Sequence, residues 1–189
     1  MKMIVGISGA TGAIYGVRIM EELNRLGVET HLIISDVGKK TIKMETKYCV
    51  SQVEKLATQV HNINNLAASV SSGSFRTDGM IIAPCSIKSL SAIANSYNAN
   101  LLIRAADVII KEKRKLVMVV RETPLHQGHL RLMSMVAEAG AILLPPMPAF
   151  YNQPKTLDDI INQTVGKVLD QFHLDHDLYN RWQGTECGN

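Results

Sequence analysis

The sequence predicts an α/β fold with a doubly wound, mainly parallel sheet and helices on both of its faces. Three observations support this prediction: five short apolar runs alternate with helical patterns, the runs lack the polar alternation of half-exposed strands, and 189 residues suit one hydrophobic core. Strands and helices that alternate in this way, joined by right-handed crossovers, give a single-domain Rossmann-like or flavodoxin-like arrangement.

The five predicted strands consist mainly of β-branched and aliphatic residues. They cover residues 3–8, 30–35, 79–84, 116–121 and 141–145. Continuous apolar strands of this kind are typical of sheets that are covered on both faces, so we expect parallel pairing.

Two helical patterns are the clearest between and after these strands. Apolar residues recur at intervals of three over residues 14–26, and Gly27 follows as a helix-ending glycine. A second amphipathic pattern covers residues 157–169, where Thr156 and Asp159 have the spacing of a capping box with Asp in place of Glu.

Composition and charge argue against several functional classes. The net charge of +3 is small and dispersed, which gives no reason to expect nucleic acid as a partner. The longest basic cluster, residues 111–115, is interpreted as a solvated helix end. No apolar run approaches the length that crosses a membrane, and the N-terminal run is too short for a signal peptide.

Cysteine usage predicts a cytoplasmic protein without a metal site. The three cysteines are widely spaced, so they indicate neither a disulfide framework nor a zinc site. Cys85 follows a predicted strand, and a small buried thiol is favoured there over a catalytic nucleophile because no base lies nearby in sequence.

Ligands of doubly wound sheets bind beyond the carboxyl ends of the strands, near the point where the strand order reverses. In this sequence the rule points to residues 8–12, Ser35, residues 84–89, residues 121–122 and residues 145–151. These segments are the candidate site.

The turn from Gly9 to Gly12 separates the first strand from the first helix. Its small residues let backbone N–H groups approach an anion at a helix N-terminus, and Thr11 adds a hydroxyl group. The spacing G-x-x-G-x-x-G, which begins at Gly6, differs from the dinucleotide fingerprint. A phosphate cradle is therefore favoured over a simple tight turn.

Three other segments each keep two interpretations. Ser86 is either part of a ligand site or an ordinary helix cap. Arg104 and Lys111 lie two turns apart and share a helix face that is either plain surface or directed at phosphates. The proline-rich loop 145–154 is either a ligand wall or a rigid connection.

The fourth strand ends in adjacent charges, Arg121 and Glu122. Such charges are unusual at the end of a buried strand unless they face a site or an interface. His126 and His129 follow without a third ligand at metal-binding spacing, so structural or surface roles are favoured for both.

In combination and in this order, these segments resemble the flavin prenyltransferase (UbiX) family. The resemblance runs from about residue 2 to residue 184, so we expect a single flavoprotein domain over residues 1–184 and a tail of residues 185–189. The motifs are GISGATGA at 6–13, SSGSF at 71–75, PCSIK at 84–88, RAADV at 104–108, VRETPL at 120–125, PAFY at 148–151, LDQF at 169–172 and RW at 181–182.

The resemblance implies a metal-independent enzyme that uses reduced FMN as a substrate. Members of this family join the dimethylallyl group of a dimethylallyl phosphate to N5 and C6 of the flavin. The product, prenylated FMN, serves UbiD-type decarboxylases, so the older description of such proteins as aromatic acid decarboxylases refers to the chemistry of the partner. The family assembles as a homo-dodecamer built from trimers.

The resemblance also assigns residues. The implied flavin contacts are Gly9, Ala10, Thr11, Ser35, Ser86, Ile87, Lys88, Ser89 and Arg104. The implied contacts of the allyl phosphate are Lys111, Arg121, Tyr151 and Lys167, with Trp182 near the site. The implied catalytic residues are Thr11, Glu45 and Glu122.

The roles implied for these residues follow the charges of the reaction. Glu122 protonates the departing phosphate or moves a proton during ring closure, and Glu45 takes a proton from the flavin. Thr11 replaces the usual Ser and keeps its hydroxyl group. Lys167 replaces the usual Arg and loses the planar fork, which leaves the choice between monophosphate and diphosphate open.

Two alternatives share FMN binding with this interpretation. One is a decarboxylase that binds FMN, such as the related cysteine decarboxylases, which have an essential early histidine and a Pro-x-Met-Asn loop. Here His31 lies inside a strand pattern and residues 146–149 read PMPA. The other is a carrier subunit without turnover, which has no need for a second cationic phosphate site.

Overall fold

A six-stranded sheet with parallel pairing throughout organises the first part of the chain. The structure is a computed structural model that describes residues 1–182 and 184. The strand order is β3-β2-β1-β4-β5-β6. The strands are β1 (Lys2–Ile7), β2 (Glu29–Ile34), β3 (Gln59–His61), β4 (Gly79–Cys85), β5 (Lys115–Val120) and β6 (Ile142–Leu143).

Seven α-helices are present in the described residues, with a 3-10 turn at Ser69–Ser71. The helices are α1 (Ala13–Arg25), α2 (Asp36–Glu45), α3 (Val50–Glu54), α4 (Ile87–Ala94), α5 (Leu101–Lys111), α6 (Gln127–Glu138) and α7 (Leu157–Asp170). The order of strands and helices, with parallel pairing throughout the sheet, confirms the predicted doubly wound α/β class. The strand order reverses between β1 and β4.

Adjacent residues of β1 contact different helices, which is evidence that both faces of the sheet are covered. A side chain on Gly6 would meet Leu102 of α5 at 3.1 Å. Gly16 of α1 approaches the other face so closely that a Cβ there would lie 3.0 Å from Ile7 and 2.2 Å from the carbonyl oxygen of Ala83. Since successive strand residues face opposite sides, α5 and α1 cover opposite faces.

The predicted elements agree with the structure except at the edges of the sheet. The capping box of Thr156 and Asp159 forms at the start of α7, and Gly27 has the positive φ of 67° expected after α1. The fifth predicted strand shrinks to the two residues of β6. The strand β3 was not predicted, because its three residues are too few to form an apolar run and two of them are exposed.

The chain divides into two compact units. The first, Met1–Pro146, contains the sheet and α1 to α6, and the second begins at Met147 and contains α7. The tail predicted at 185–189, which includes Cys187, lies outside the described residues. In the part of the chain that the structure describes, no helix has both the length and the apolar character needed to span a bilayer.

Candidate active site

The carboxyl ends of β1 and β4 are joined by the side chain of Ser8. Its buried hydroxyl group donates to the carbonyl oxygen of Pro84 at 2.9 Å and accepts from the backbone N–H of Ser86 at 2.8 Å. The backbone N–H of Ser8 also donates to Pro84, at 3.2 Å. Ser8 belongs to the candidate segment 8–12 predicted from the sequence, which assigned it no specific role. A serine directly after a buried strand was the available signal.

Two helices begin beside this connection with serine caps. The Ser35 hydroxyl accepts from the N–H of Gly38 at 3.0 Å at the start of α2. The Ser86 hydroxyl accepts from the N–H of Ser89 at 3.3 Å at the start of α4. Because helix N-termini carry partial positive charge and free N–H groups, this edge of the sheet favours an anion.

A cavity of about 780 Å³ opens between these helix ends. Its volume lies in the range of cofactor-sized pockets, roughly 300–1,000 Å³. The predicted flavin residues in its lining are Gly9, Ser35, Ser86, Lys88 and Ser89. The wall on the other side comes from segments that the sequence prediction did not include: Ile63, Asn64, Asn95, Tyr97, Asn100 and Ile103.

Gly9 is required by close packing at the mouth of this cavity. A Cβ at residue 9 would lie 2.4 Å from the Cβ of Val37, a distance that no ordinary contact reaches. Val37 belongs to the first turn of α2. A larger residue at position 9 would therefore push α2 away from the end of β1.

The structure brings together two of the predicted catalytic residues, Thr11 and Glu45. One carboxylate oxygen of Glu45 accepts from the N–H of Gly12 at 2.7 Å and from the N–H of Ala13 at 3.2 Å. Glu45 is the last residue of α2, and Thr11 is exposed next to Gly12. The N-terminus of α1 thus binds the Glu45 carboxylate directly after Thr11 in the chain.

Arg104 of α5 is oriented by two contacts, one on its own helix and one in the 3-10 turn. Its Nη1 donates to Asp107 at 3.0 Å, and its Nε donates to the carbonyl oxygen of Ser71 at 3.2 Å. The pairing with Asp107 is the one that the spacing of the two residues predicts. Arg114 donates to the carbonyl oxygens of Gly73 and Phe75, so two arginines hold the SSGSF segment.

The remaining predicted residues of the first unit lie on α5 and after β5. The exposed Lys111 pairs with Glu112, and the hydrogen bond from this ammonium group lowers the pKa of the Glu112 carboxyl. The backbone N–H of Arg121 donates to the carbonyl oxygen of Cys85 at 3.1 Å, which extends the β4–β5 pairing by one residue. Glu122 is exposed and accepts from the N–H of Thr123 at 3.0 Å.

Cys85 is a buried thiol, as predicted. Its side chain has no exposed surface, and burial raises its pKa to about 12. A thiol in this state is a poor nucleophile, because the thiolate is the reactive form.

The second unit carries the other predicted substrate residues. The rings of Tyr151 and Trp182 contact edge to face, with centroids 5.9 Å apart and an angle of 80° between the planes. A shallow cavity of about 480 Å³ is lined by both rings together with Asn152, Asn180 and Arg181. Lys167 is exposed, and its Nζ lies 4.0 Å from Asp170.

Comparisons with known proteins identify the family. Residues 1–169 match the family model described as Flavoprotein. The chain is 67% identical over 186 residues to "Flavin prenyltransferase UbiX" of Thauera aromatica, an alignment that covers 98% of this chain and 96% of the relative. The chain belongs to the UbiX flavin prenyltransferase family. The resemblance inferred from the motifs is thereby confirmed.

Two solved structures of UbiX proteins have the same fold as this chain. "AnUbiX (PadA1) in complex with FMN and dimethylallyl pyrophosphate" superposes with a TM-score of 0.96 at 51% identity, covering 98% of both chains. The "dodecameric FMN-dependent Ubix-like Decarboxylase" of Escherichia coli O157:H7 also gives 0.96, at 52% identity, covering 97% of this chain and all of the other. The second description uses the older name of the family's chemistry.

The histidines of the first unit have structural surroundings. His31, the early histidine weighed for a cysteine decarboxylase, is buried in β2 and bonds to His61 of β3 at 2.8 Å. His126 caps α6 through its Nδ1, and its ring lies against that of His129. Among residues 1–182 and 184, no three His, Cys, Asp or Glu side chains are grouped so as to hold a metal ion.

Proposed function

We propose that the protein is a flavin prenyltransferase that transfers the dimethylallyl group of a dimethylallyl phosphate to N5 and C6 of reduced FMN. The observation that carries this proposal is the pairing of UbiX family membership with a cofactor-sized cavity at the strand-order reversal. Reduced flavin supplies the electron-rich nitrogen and carbon that accept the five-carbon group. The product is prenylated FMN, which a UbiD-type decarboxylase uses.

The residues around the cavity fit FMN. Two capped helix N-termini, at Ser35 and Ser86, supply N–H donors and positive potential for its phosphate. Lys88 adds a cation, and Gly9 lets α2 pack against the end of β1 beside the cavity because it has no side chain. With Ala10, Ile87, Ser89 and the oriented Arg104, these residues form the proposed flavin site.

Thr11 and Glu45 are the proposed acid–base pair for the flavin. Two backbone N–H groups hold the Glu45 carboxylate, the proposed acceptor of the flavin proton. The proposed role of Thr11 is to orient N5 or to relay its proton, and it has the same hydroxyl group as the Ser of other members. The carboxylate therefore has a fixed position before any ligand arrives.

Lys111, Arg121, Tyr151 and Lys167 are the proposed binding group for the allyl phosphate. When the C–O bond of the allyl phosphate breaks, negative charge collects on the phosphate, and cations with a phenol donor stabilise it. These residues let the reaction proceed without a metal ion. Glu122 is the proposed proton donor to the phosphate. The proposed role of the Trp182 indole is to stabilise the positive allyl carbon together with the reduced flavin.

The proposed assembly and setting follow from the family. One UbiX structure is described as dodecameric, and we propose a homo-dodecamer built from trimers for this protein. Both substrates are anionic, water-soluble molecules, which supports a cytoplasmic protein. The proposed site needs neither nucleic acid nor a membrane.

Anaerobic incubation with reduced FMN and dimethylallyl monophosphate or diphosphate tests the proposal. Mass spectrometry of the flavin should show the gain of one five-carbon unit with at least one of the two phosphates. An unchanged flavin mass with both would overturn the proposal and support a carrier subunit. Release of CO₂ from an aromatic acid by the purified protein alone would instead support a decarboxylase.

The incubations with dimethylallyl monophosphate and diphosphate also test the effect of having Lys in place of Arg at residue 167. A lysine binds phosphate as a point charge, whereas arginine grips two oxygens at once. Substituting Lys167→Arg should therefore lower the KM for the allyl phosphate and leave FMN affinity unchanged. Equal KM values for both forms of the enzyme would show that this side chain does not bind the phosphate.

A further inference from the structure

A single carboxylate at the end of α7 collects the side chains of the segment that follows the helix. One oxygen of Asp170 accepts from Arg181 at 2.6 Å and from His176 at 3.2 Å, and the other accepts from the hydroxyl group of Tyr179 at 2.6 Å. Lys167, one turn earlier on the helix, places its Nζ 4.0 Å away. None of the roles proposed above for the reaction explains why four donors converge on Asp170.

The hydrogen-bond pattern fixes the state of His176. Its Nδ1 accepts from the backbone N–H of Leu178 at 3.2 Å, so its Nε2 carries the proton that Asp170 accepts. The His176 side chain has no exposed surface. The buried ring therefore acts as a rigid link between the helix and the segment 176–182, which we call the strap.

Gly166 allows the strap to lie directly on the helix. A Cβ at this position would come within 2.6 Å of both the His176 and the Tyr179 rings. Gly166 lies one turn before Asp170, so the same face of α7 provides the space for the rings and the acceptor for their polar atoms. The guanidinium group of Arg181 lies 5.6 Å from the centre of the Tyr179 ring.

Charge keeps this cluster together over a wide pH range. Burial by itself raises the pKa of Asp170, but hydrogen bonds from Arg181 and Tyr179 outweigh it and hold the pKa at about 2. Burial and the hydrogen bond to Asp170 raise the pKa of Tyr179. A carboxyl with a lowered pKa stabilises the folded state fully at pH values above its unfolded pKa of 3.8, and this stabilisation is lost as pH falls from there through about 2.

The strap ends at the aromatic pair. Arg181 is bonded to Asp170, and the next residue, Trp182, makes the edge-to-face contact with Tyr151. Trp182 is 60% exposed, so few contacts of its own hold the indole in place. The anchor at Arg181 restricts the freedom that such a residue otherwise has.

We infer that Asp170 is a positioning residue, which holds Trp182 through the strap and Lys167 through their shared helix so that both are set for the allyl phosphate. This inference rests on the proposed function for the identity of the substrate. Asp170 itself touches neither substrate in this account. Its contribution is to reduce the number of positions that the indole and the ammonium group can take.

The test uses Asp170→Ala with Asp159→Ala as the matched control. Asp159 is a second carboxylate of α7, and its bonds go to the backbone of Lys155 and Thr156 at the other end of the helix. Trp182 is the only tryptophan of the chain, so its fluorescence reports on the strap alone. Asp170→Ala should make this emission more accessible to acrylamide quenching, and Asp159→Ala should not.

Steady-state kinetics provides the second measurement. Asp170→Ala should raise the KM for the allyl phosphate by roughly tenfold, the effect of losing a charge-assisted hydrogen bond, while FMN affinity stays within about twofold. A loss of FMN affinity by the same factor as the rise in KM would indicate general damage to the fold and would overturn the inference. Quenching unchanged from wild type would overturn it as well.

A milder variant covers the case in which Asp170→Ala does not fold. Tyr179→Phe removes one hydrogen bond and keeps the ring over Gly166, and it should shift quenching and KM in the same direction by a smaller factor. No shift in either quantity would contradict the inference. The quenching measurement needs no turnover, so it tests whether Asp170 holds the strap and Trp182 even if the enzyme is inactive. A wild-type protein that made no prenylated flavin would overturn the proposed function instead.

Discussion

The two units of the chain hold their proposed ligand-binding residues by different means. In the first unit, backbone groups and short hydroxyl side chains shape the flavin cavity, and Ser8, Ser35 and Ser86 fix the strand ends and helix starts. In the second unit, long side chains converge on one carboxylate, Asp170. The first arrangement derives from the fold, and the second derives from a local cluster of charge.

This difference predicts different sensitivities. A cavity built on strand ends tolerates many side-chain changes, but it fails where a new atom has no space. A cluster built on one charge fails when that charge is removed. The chemistry adds a third class of residue, whose loss affects turnover without affecting either structure.

The largest effect is expected for Glu122→Gln, which separates chemistry from both kinds of binding. Glutamine keeps the shape of the side chain and the acceptor for the N–H of Thr123. It cannot donate an acidic proton, so formation of prenylated FMN in single-turnover experiments should fall by about a thousandfold. FMN affinity, followed by flavin fluorescence, should stay unchanged.

The exposed Glu138 on α6 provides the control for this substitution. Glu138→Gln should form product at the wild-type rate. Normal turnover by Glu122→Gln would remove Glu122 from the proposed catalytic group.

The next effect tests the space in the flavin cavity. Gly9→Ala places a Cβ 2.4 Å from the Cβ of Val37, and relief requires α2 and its Ser35 cap to move. FMN affinity should fall by roughly fiftyfold, as expected for an overpacked site. Isothermal titration of FMN is the measurement.

A second substitution decides whether the clash causes this loss. Val37→Gly removes the atom that Gly9→Ala would strike, so the double variant should regain most of the FMN affinity. Val37→Gly alone controls for the added backbone freedom at the start of α2. A double variant as weak as Gly9→Ala would show that packing against Val37 is not the reason for the glycine.

A smaller effect is expected for Ser8→Ala, which breaks the connection between the strand ends. The carbonyl oxygen of Pro84 keeps the N–H of Ser8 as donor, whereas the N–H of Ser86 loses its acceptor. The free energy of unfolding should fall by about 2 kcal/mol, the cost of an unpaired buried group. Urea denaturation measures this, and Ser134→Ala, on the exposed side of α6, should change stability by less than about 0.5 kcal/mol.

The difference between the fold-built cavity of the first unit and the side-chain cluster of the second also explains how much of the site the sequence could predict. Ser35 and Ser86 were expected near a ligand site because they follow apolar strands in a doubly wound pattern, and a helix cap was one of the two interpretations of Ser86. The hydrogen bond between Glu45 and the N–H of Gly12 joins residues that are 33 positions apart in the sequence, and no local pattern predicts it. Asp170 gathers donors from an irregular segment, so neither periodicity nor capping signals indicate the cluster.

The edge strand β3 shows that prediction of the fold from local sequence is limited in the same way. The strand β3 has only three residues, of which two are exposed, so it lacks the apolar run that marked the other strands. It forms because β2 offers a parallel partner, with pairing from His31 to Ile33. Tertiary context, rather than local sequence, determines such a strand.

The smallest effect is expected at the edge of the sheet where β3 pairs with β2. Here the first unit, like the second, is held by side chains that can gain or lose a proton. His31 bonds to His61 at 2.8 Å and to Glu29 at 3.3 Å, so the two imidazole rings of this edge are in direct contact. Burial, with a smaller contribution from His31, lowers the pKa of His61. The unfolded chain therefore binds the proton more readily, and stability should fall as pH drops below the ordinary histidine pKa of about 6.5.

Urea midpoints at about pH 5.5 and about pH 7.5 measure this dependence in wild type and in His61→Asn. The difference between the two midpoints should be smaller in His61→Asn, because one of the groups that resists protonation is gone. His173→Asn is the matched control, since His173 is exposed and its φ of 54° suits asparagine. If both variants kept the wild-type pH dependence, His61 would not be a source of the acid sensitivity of the fold.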